Sequence, residues 1–158
     1  MPHHPHFRLN LVVTALAWAA SGAASALTIG DLQGTTHRSS FANTAVSNIG
    51  GIVTAIDGNG FWMQDAGDGN ALTSDGIYVF RGSAGSKPLI GDAVSVDGTV
   101  LEFRPGGNAN DPATTEISAT GAASTWTRLS SGNALPTAVV IGNGNVALDV
   151  ARILSKTR

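Results

Sequence analysis

A glycine-rich stretch between residues 65 and 76 holds the side chains best suited to ligate a metal ion. Its carboxylate and amide oxygens come from Asp65, Asp68, Asn70 and Asp75. Calcium takes about six to eight oxygen ligands, and a loop of this composition can supply several of them. The same residue types also close tight turns by accepting hydrogen bonds from nearby backbone. Because the stretch lacks the bidentate glutamate of an EF-hand, turn capping is the favoured interpretation and a Ca²⁺ site is the alternative.

Aromatic residues on two successive strand-like segments have the chemistry to stack on flat ligands such as nucleic-acid bases. Trp62 lies in the first segment and Tyr78 in the second. Stacking a base on an exposed ring contributes about 1–3 kcal/mol and does not depend on base identity. In a strand, alternation places Trp62 on the face of Gln64 and opposite Phe61 and Met63, so we predict that Trp62 faces solvent. The orientation of Tyr78 stays open, and core packing is the alternative role for either ring.

Positively charged side chains that could contact phosphate groups are few. Arg81 and Arg104 are the leading candidates, accompanied by Arg38 and Lys87. The chain has 9 Lys and Arg against 11 Asp and Glu, which gives a net charge of −2. A negative background opposes each phosphate contact, so we expect binding to DNA or RNA to be weak and sensitive to salt.

The residue types needed for catalysis are also scarce. The chain has no cysteine, which excludes disulfide scaffolds, cysteine-type zinc clusters and thiol nucleophiles. His37 is the one histidine after residue 26, and the acids mostly lie beside glycine in turn-like sequence. Metal-assisted hydrolysis needs carboxylates or histidines around a divalent ion and a base that activates water. Since the sequence offers no such constellation, it indicates a non-catalytic chain.

Residues 1–26 have the plan of a secretory signal peptide. Arg8 precedes an apolar run over residues 11–20, and small residues lead up to Ala26. As a helix, a run of that length reaches about 15 Å, half of the roughly 30 Å hydrocarbon core of a bilayer. We therefore expect a signal helix that is cleaved after Ala26, a secreted or periplasmic protein, and no membrane anchor after cleavage.

The elements that must position these residues are predicted to be β-strands, in an all-β domain. Residues 27–44 read as an irregular lead-in, and residues 45–128 contain five segments with the alternation and turn residues of short strands. The strand segments are residues 45–56, 61–64, 77–81, 93–103 and 115–118. Gly50 and Gly51 inside the first segment predict a bent barrel strand. The pattern predicts a small five-stranded OB-like barrel, with a small sandwich as the alternative.

Several runs in this region, taken in order, resemble a known module. They are GIVTA at 51–55, GFWMQD at 60–65, TSDGIYVF at 73–80, GDAVSVDGTV at 91–100 and EFRPG at 102–106. Over residues 29–127 the chain resembles the OB-like domain that precedes the catalytic domain of secreted bacterial nucleases of the endonuclease/exonuclease/phosphatase class. The resemblance implies an accessory half, whose metal-dependent catalytic domain is absent from this chain, and a truncated or broken reading frame.

Residues 129–158 read as a linker followed by a strand–turn–helix tail that ends in a short C-terminal helix. The run over 138–154 resembles the NADP-binding turn of ferredoxin–NADP reductases of the adrenodoxin-reductase type, and residues 135–142 also resemble the linker of the nuclease family. The tail lacks a second strand and the residue that would hold the ribose, so we expect no cofactor to bind. A junction between reading frames is the favoured explanation, and a family linker is the alternative.

Two functions from different classes are compatible with the sequence. The first is an exported, non-catalytic OB-like module that binds single-stranded nucleic acid for a separate catalytic domain. OB barrels usually bind ligands on the face of strands two and three, which is where the aromatic residues lie. The second is a structural or calcium-stabilised spacer or docking domain without nucleic-acid binding. A redox role would rest on the tail alone.

Overall fold

The structure is a computed structural model that describes residues 26–136. The predicted signal helix and the predicted C-terminal helix lie outside these residues. Within them, the elements in chain order are helix α1 (Ile29–Gln33), strands β1 (Ala45–Ile56), β2 (Gly60–Gln64), β3 (Gly76–Phe80) and β4 (Ala93–Phe103), a 3₁₀ turn (Pro105–Gly107), and strands β5 (Thr114–Ser118) and β6 (Trp126–Ser130).

Five strands close into a barrel in the order β1-β2-β3-β5-β4-β1. All of these pairings are antiparallel except that of β3 with β5, which is parallel. This arrangement confirms the predicted all-β class and the small five-stranded barrel, and it is consistent with an OB-like barrel. Because a closed barrel leaves no edge within the ring, every strand of the ring has a neighbour on both sides.

Strand β1 is long because it pairs with two neighbours in turn. Its first part pairs with β4 and its last part pairs with β2, with register shifts in both ladders. Asn48 lies at the first shift, has a φ of 58°, and its N–H donates to a carboxylate oxygen of Asp97 at 2.8 Å. The irregularities of this strand lie at Asn48, which is in the left-handed region, and between Val53 and Ala55. Gly50 and Gly51, where the sequence predicted the bend, pair with β4 without a register shift.

The barrel core follows the alternation of the strands. Strands β2 and β3 direct Phe61, Met63, Ile77 and Val79 inward. Strand β4 contributes Val94, Val96 and Val100, which lie on its inward face. Inward β-branched and aromatic residues fill a small barrel and leave alternate residues facing out. The residues between these core positions, Trp62 and Tyr78 among them, therefore lie on the outer face.

The sequence predicts an irregular lead-in at residues 27–44, but this segment contains helix α1. Thr28 caps this helix by accepting from the Asp31 N–H at 3.0 Å, and the Asp31 carboxylate accepts from the Thr28 N–H at 2.9 Å. Ile29 and Leu32 are fully buried in the barrel core. A helix of five residues is too short to show apolar periodicity in sequence, and it is held by burial of these two side chains.

The sequence pattern also did not predict the sixth strand, β6. It pairs antiparallel with the first half of β4, outside the closed ring, and it ends at Ser130 rather than within the predicted limit of 128. Most of its side chains are exposed. An exposed edge strand has no buried face, so it lacks the alternation by which the other strands were predicted.

Candidate functional site

Trp62 and Tyr78 form a pair of rings on the outer surface of β2 and β3, which we call the aromatic face. The two residues are directly opposite in the antiparallel ladder. Their ring centroids lie 4.6 Å apart, with the ring planes tilted by 51°. Trp62 is 41% exposed, whereas Phe61 and Met63 on either side are fully buried. The predicted outward orientation of Trp62 is confirmed, and the orientation of Tyr78 that sequence left open is also outward.

The turn between β1 and β2 holds the Tyr78 ring in place. The Tyr78 hydroxyl donates to Asp57 Oδ1 at 2.9 Å, and the same oxygen accepts from the N–H groups of Asn59 at 2.8 Å and Gly60 at 2.6 Å. A Cβ atom at Gly60 would lie 2.7 Å from the Tyr78 hydroxyl oxygen, too close for any side chain. The aromatic face therefore depends on a glycine and on a carboxylate in the turn beside it.

The electrostatics of this turn favour an ionised Asp57 and a neutral Tyr78. Burial acts to raise the pKa of Asp57, but hydrogen bonds from Tyr78, Asn59 and Gly60 and the nearby charge of Lys87 outweigh it, so this pKa lies below its ordinary value. Burial, the hydrogen bond to Asp57 and the negative charges nearby raise the pKa of the Tyr78 phenol well above its ordinary value. The phenol consequently acts as a hydrogen-bond donor at neutral pH.

Glu116 is the next residue across the same outer surface. It lies opposite Tyr78 in the parallel ladder of β3 and β5, and its side chain is only 6% exposed. Burial raises the pKa of its carboxyl group above the ordinary value. Sequence reasoning missed this residue, although its outward position between two inward residues of a predicted strand was a usable signal.

Arg81, predicted to contact nucleic acid, has a structural role in this fold. Its guanidinium donates to the carbonyl oxygens of Ala119 and Ser124, and its Nε donates to the Ser86 carbonyl at 3.3 Å. Two of these bonds join the end of β3 to the segment that follows β5, and the bond to Ser86 lies within the loop that follows β3. These bonds engage Nε and one terminal nitrogen of the guanidinium, and the donors of the other terminal nitrogen are left for a phosphate. The assignment of Arg81 to a binding site stays a prediction.

Arg104 lies away from the aromatic face, in an open cleft of about 460 Å³ at the end of β4. The cleft is also lined by Arg38, Glu102 and Phe103. Arg104 Nε donates to the Asp111 carbonyl at 3.1 Å. The four cations named from sequence therefore do not form one cluster, since Arg38 and Arg104 share this cleft and Lys87 lies near the aromatic face.

The acidic loop uses its oxygens mainly for turns. Asp65 accepts from the N–H groups of Ile29 and Gly67, and Asp68 accepts from the Asn70 N–H at 2.7 Å and from the Thr73 hydroxyl. Asn70 Oδ1 in turn accepts from the Leu72 N–H, and Asp75 Oδ1 is buried without a hydrogen-bond partner. Within residues 26–136 no group of three or more acidic or histidine side chains is placed to hold a metal ion. The geometry agrees with turn capping, the interpretation favoured from sequence.

No family model, curated protein or solved structure matches the chain. In residues 26–136, the structure contains no helix with the length and hydropathy needed to span a membrane. A proposal about function therefore rests on the geometry of the site and on the sequence motifs.

Proposed function

We propose that this protein is a non-catalytic, OB-like module that binds single-stranded nucleic acid on the aromatic face, and that it is the exported accessory part of an extracellular nuclease. The observation that carries this proposal is the exposed Trp62 ring, which is paired with Tyr78 on the outer surface of β2 and β3. The resemblance of residues 29–127 to the nuclease module supports the same conclusion.

The aromatic face suits stacking because its rings are already ordered. Each ring is attached to a paired strand, and the Tyr78 hydroxyl is bonded to Asp57. A pre-ordered surface loses little side-chain entropy when a base stacks on it. One stacked base contributes about 1–3 kcal/mol, so a face with two rings supports weak to moderate affinity without sequence recognition by the rings.

The charges around the aromatic face limit the contribution of phosphate contacts. Asp57 and Glu116 flank the rings, and the positive charge of Lys87 acts on Asp57. Stacking therefore provides most of the binding free energy in this proposal, and phosphate contacts provide a smaller part.

The test is a titration of the full chain with fluorescently labelled single-stranded oligonucleotides at low salt, read by anisotropy. We expect Trp62→Ala to weaken binding about fivefold to a hundredfold, the loss equivalent to one stacked base. The matched control is Trp126→Phe, which changes a tryptophan on β6 whose Nε1 donates to the Ser86 carbonyl. Absence of binding, or equal binding by the Trp62 variant, would contradict the proposal.

A docking or spacer domain is the second candidate, and one observation favours it. Among the described residues no strand pairs with the outer side of β6, on which Leu129 is 65% exposed. Leu129 also lines a shallow groove of about 750 Å³ together with Gly50, Ile52 and Pro136. An exposed strand edge beside apolar surface is a typical protein-docking feature.

This second candidate predicts that no oligonucleotide binds and that the groove associates with protein. The calcium-stabilised form of it has its own test, which is the melting temperature in millimolar CaCl₂. A rise in melting temperature that disappears in Asp68→Ala would support calcium binding. From the turn bonds of Asp68 we expect no rise, and a lower melting temperature for the variant with or without calcium.

A further inference from the structure

We propose that the Glu116 carboxylate accepts hydrogen bonds from the base that stacks on the aromatic face and thereby gives this site a preference for guanine. This inference rests on the proposed function, because it concerns a ligand of the same face. It adds base selectivity to a surface whose stacking alone is insensitive to base identity.

The strand ladders place Glu116 beside the stacking surface. Its neighbours in sequence, Thr115 and Ile117, are buried, and the Thr115 hydroxyl bonds inward to Glu102. Alternation then directs Glu116 to the outer face, where it lies between Tyr78 on β3 and Leu101 on β4. Neighbouring strands are about 4.8 Å apart, so the edge of a base that lies over Tyr78 comes within reach of the Glu116 carboxylate.

Glu116 also has hydrogen-bonding capacity to spare. Within residues 26–136 the Glu116 carboxylate accepts no hydrogen bond, although the residue is only 6% exposed. The two side-chain atoms that are completely enclosed and unpartnered belong to Asp75 and Glu102, so the oxygens of Glu116 keep contact with the outside. A desolvated acceptor without a donor gains free energy when a ligand supplies one.

Guanine is the base whose donors match a carboxylate. Its Watson–Crick edge presents the ring N1–H and the exocyclic amino group side by side, and an ionised carboxylate has two oxygens to accept them. Adenine and cytosine offer one amino group next to a ring acceptor, and thymine offers a single ring N–H. The other nearby carboxylate, Asp57, uses its Oδ1 to accept from Tyr78, Asn59 and Gly60, so Glu116 is the one of the two with both oxygens available for a pair of adjacent donors.

The experiment compares two matched single-stranded decamers, one alternating thymine with guanine and one alternating thymine with hypoxanthine. Hypoxanthine keeps the ring system and N1–H of guanine and lacks the amino group, so stacking and charge stay nearly constant. We expect the full chain to bind the guanine strand about fivefold to a hundredfold more tightly. We expect Glu116→Gln, which has one acceptor oxygen and no charge, to reduce this ratio to near one.

The control variant is Asp111→Asn, which removes one negative charge from the exposed loop between the 3₁₀ turn and β5 and should keep the ratio. Equal affinity for both strands, or a ratio unchanged in Glu116→Gln, overturns the guanine preference. If Trp62→Ala still weakens binding in that case, the proposed function stands and the base preference alone fails. Absence of binding to either strand overturns both.

Discussion

At Gly60 the aromatic face depends on the absence of a side chain. A Cβ atom there would meet the Tyr78 hydroxyl and the backbone of β3. We predict that Gly60→Ala lowers the free energy of unfolding by about 1–3 kcal/mol through overpacking and weakens oligonucleotide binding as Tyr78 is displaced. Chemical denaturation and anisotropy measure the two effects.

The control for Gly60 is Gly58→Ala in the same turn, where a Cβ atom would have no neighbour within 4 Å. That variant should keep both stability and binding. Gly60→Ala with unchanged affinity would show that the position of Tyr78 does not matter for the ligand.

Glu116 makes the stability of the protein depend on pH in a specific direction. Burial raises the pKa of its carboxyl group above 4.5, its ordinary value, so between the two pKa values the folded state holds more protons than the unfolded state. Stability then falls as the pH rises from about that ordinary value through the folded-state pKa. We predict that Glu116→Gln unfolds at higher denaturant concentration than the wild type at pH 7, and that the difference shrinks toward pH 4.

Tyr78 and Asp57 are the other titratable groups of the aromatic face. The pKa of Asp57 is lowered, so its effect on stability changes with pH in the direction opposite to that of Glu116. The contribution of Asp57 to stability is present above its ordinary pKa of 3.8 and is lost as the pH falls. A Glu116→Gln variant that gains no stability at pH 7 relative to pH 4 would contradict the effect assigned to burial. Asp111→Asn, on an exposed loop, is the reference variant.

At the scale of elements, α1 is part of the barrel core although it lies outside the ring of strands. Leu32 is fully buried there, and Gln33 Nε2 donates to the Gly76 carbonyl at the start of β3. We predict that Leu32→Ala lowers the free energy of unfolding by about 2–5 kcal/mol. Leu72→Ala, which truncates a side chain that is 76% exposed, should change it by less than about 0.5 kcal/mol. Similar losses for the two variants, measured by urea denaturation, would contradict the packing of α1.

Strand β6 is joined to the barrel by an ion pair as well as by its ladder with β4. Asp92 is buried and accepts from Arg128 Nε at 2.8 Å and from the Leu89 N–H at 2.8 Å. Arg128 is half-exposed, so the pair is partly screened by solvent. The extra strand therefore has a specific attachment, whereas no strand within residues 26–136 pairs with its outer edge.

At the scale of the whole molecule, the scattered cations limit the salt sensitivity that the sequence predicts to a shallow slope, since few phosphate contacts are available on a chain with a net charge of −2. Each phosphate contact of a single strand adds about −0.7 to the slope of log K against log salt concentration. With Lys87 near the aromatic face and Arg38 and Arg104 in a separate cleft, we predict a slope between about −0.7 and −1.4. A slope steeper than about −3, measured by anisotropy over a series of NaCl concentrations, would show that the strand follows a larger basic surface than this one.

The strands of the barrel could be predicted because each of them has one buried face. Phe61 and Met63 alternate with Trp62 and Gln64, and the valines of β4 alternate with polar residues, so local sequence reports which side chains point inward. The same alternation indicated that Trp62 faces solvent. Helix α1 and strand β6 were missed because one is too short for a period and the other has no buried face.

What the amino-acid sequence determined by itself was the all-β class, the positions of the five barrel strands and the exposure of Trp62, since these depend on alternation and on residues within a few positions of one another. Only the tertiary structure decided that Tyr78 pairs with Trp62, that Glu116 lies beside them, and that Arg81 bonds to carbonyls about 40 residues away. These relations depend on strand order and register. Strand order is set by packing of the whole core, and a list of residue types does not contain it.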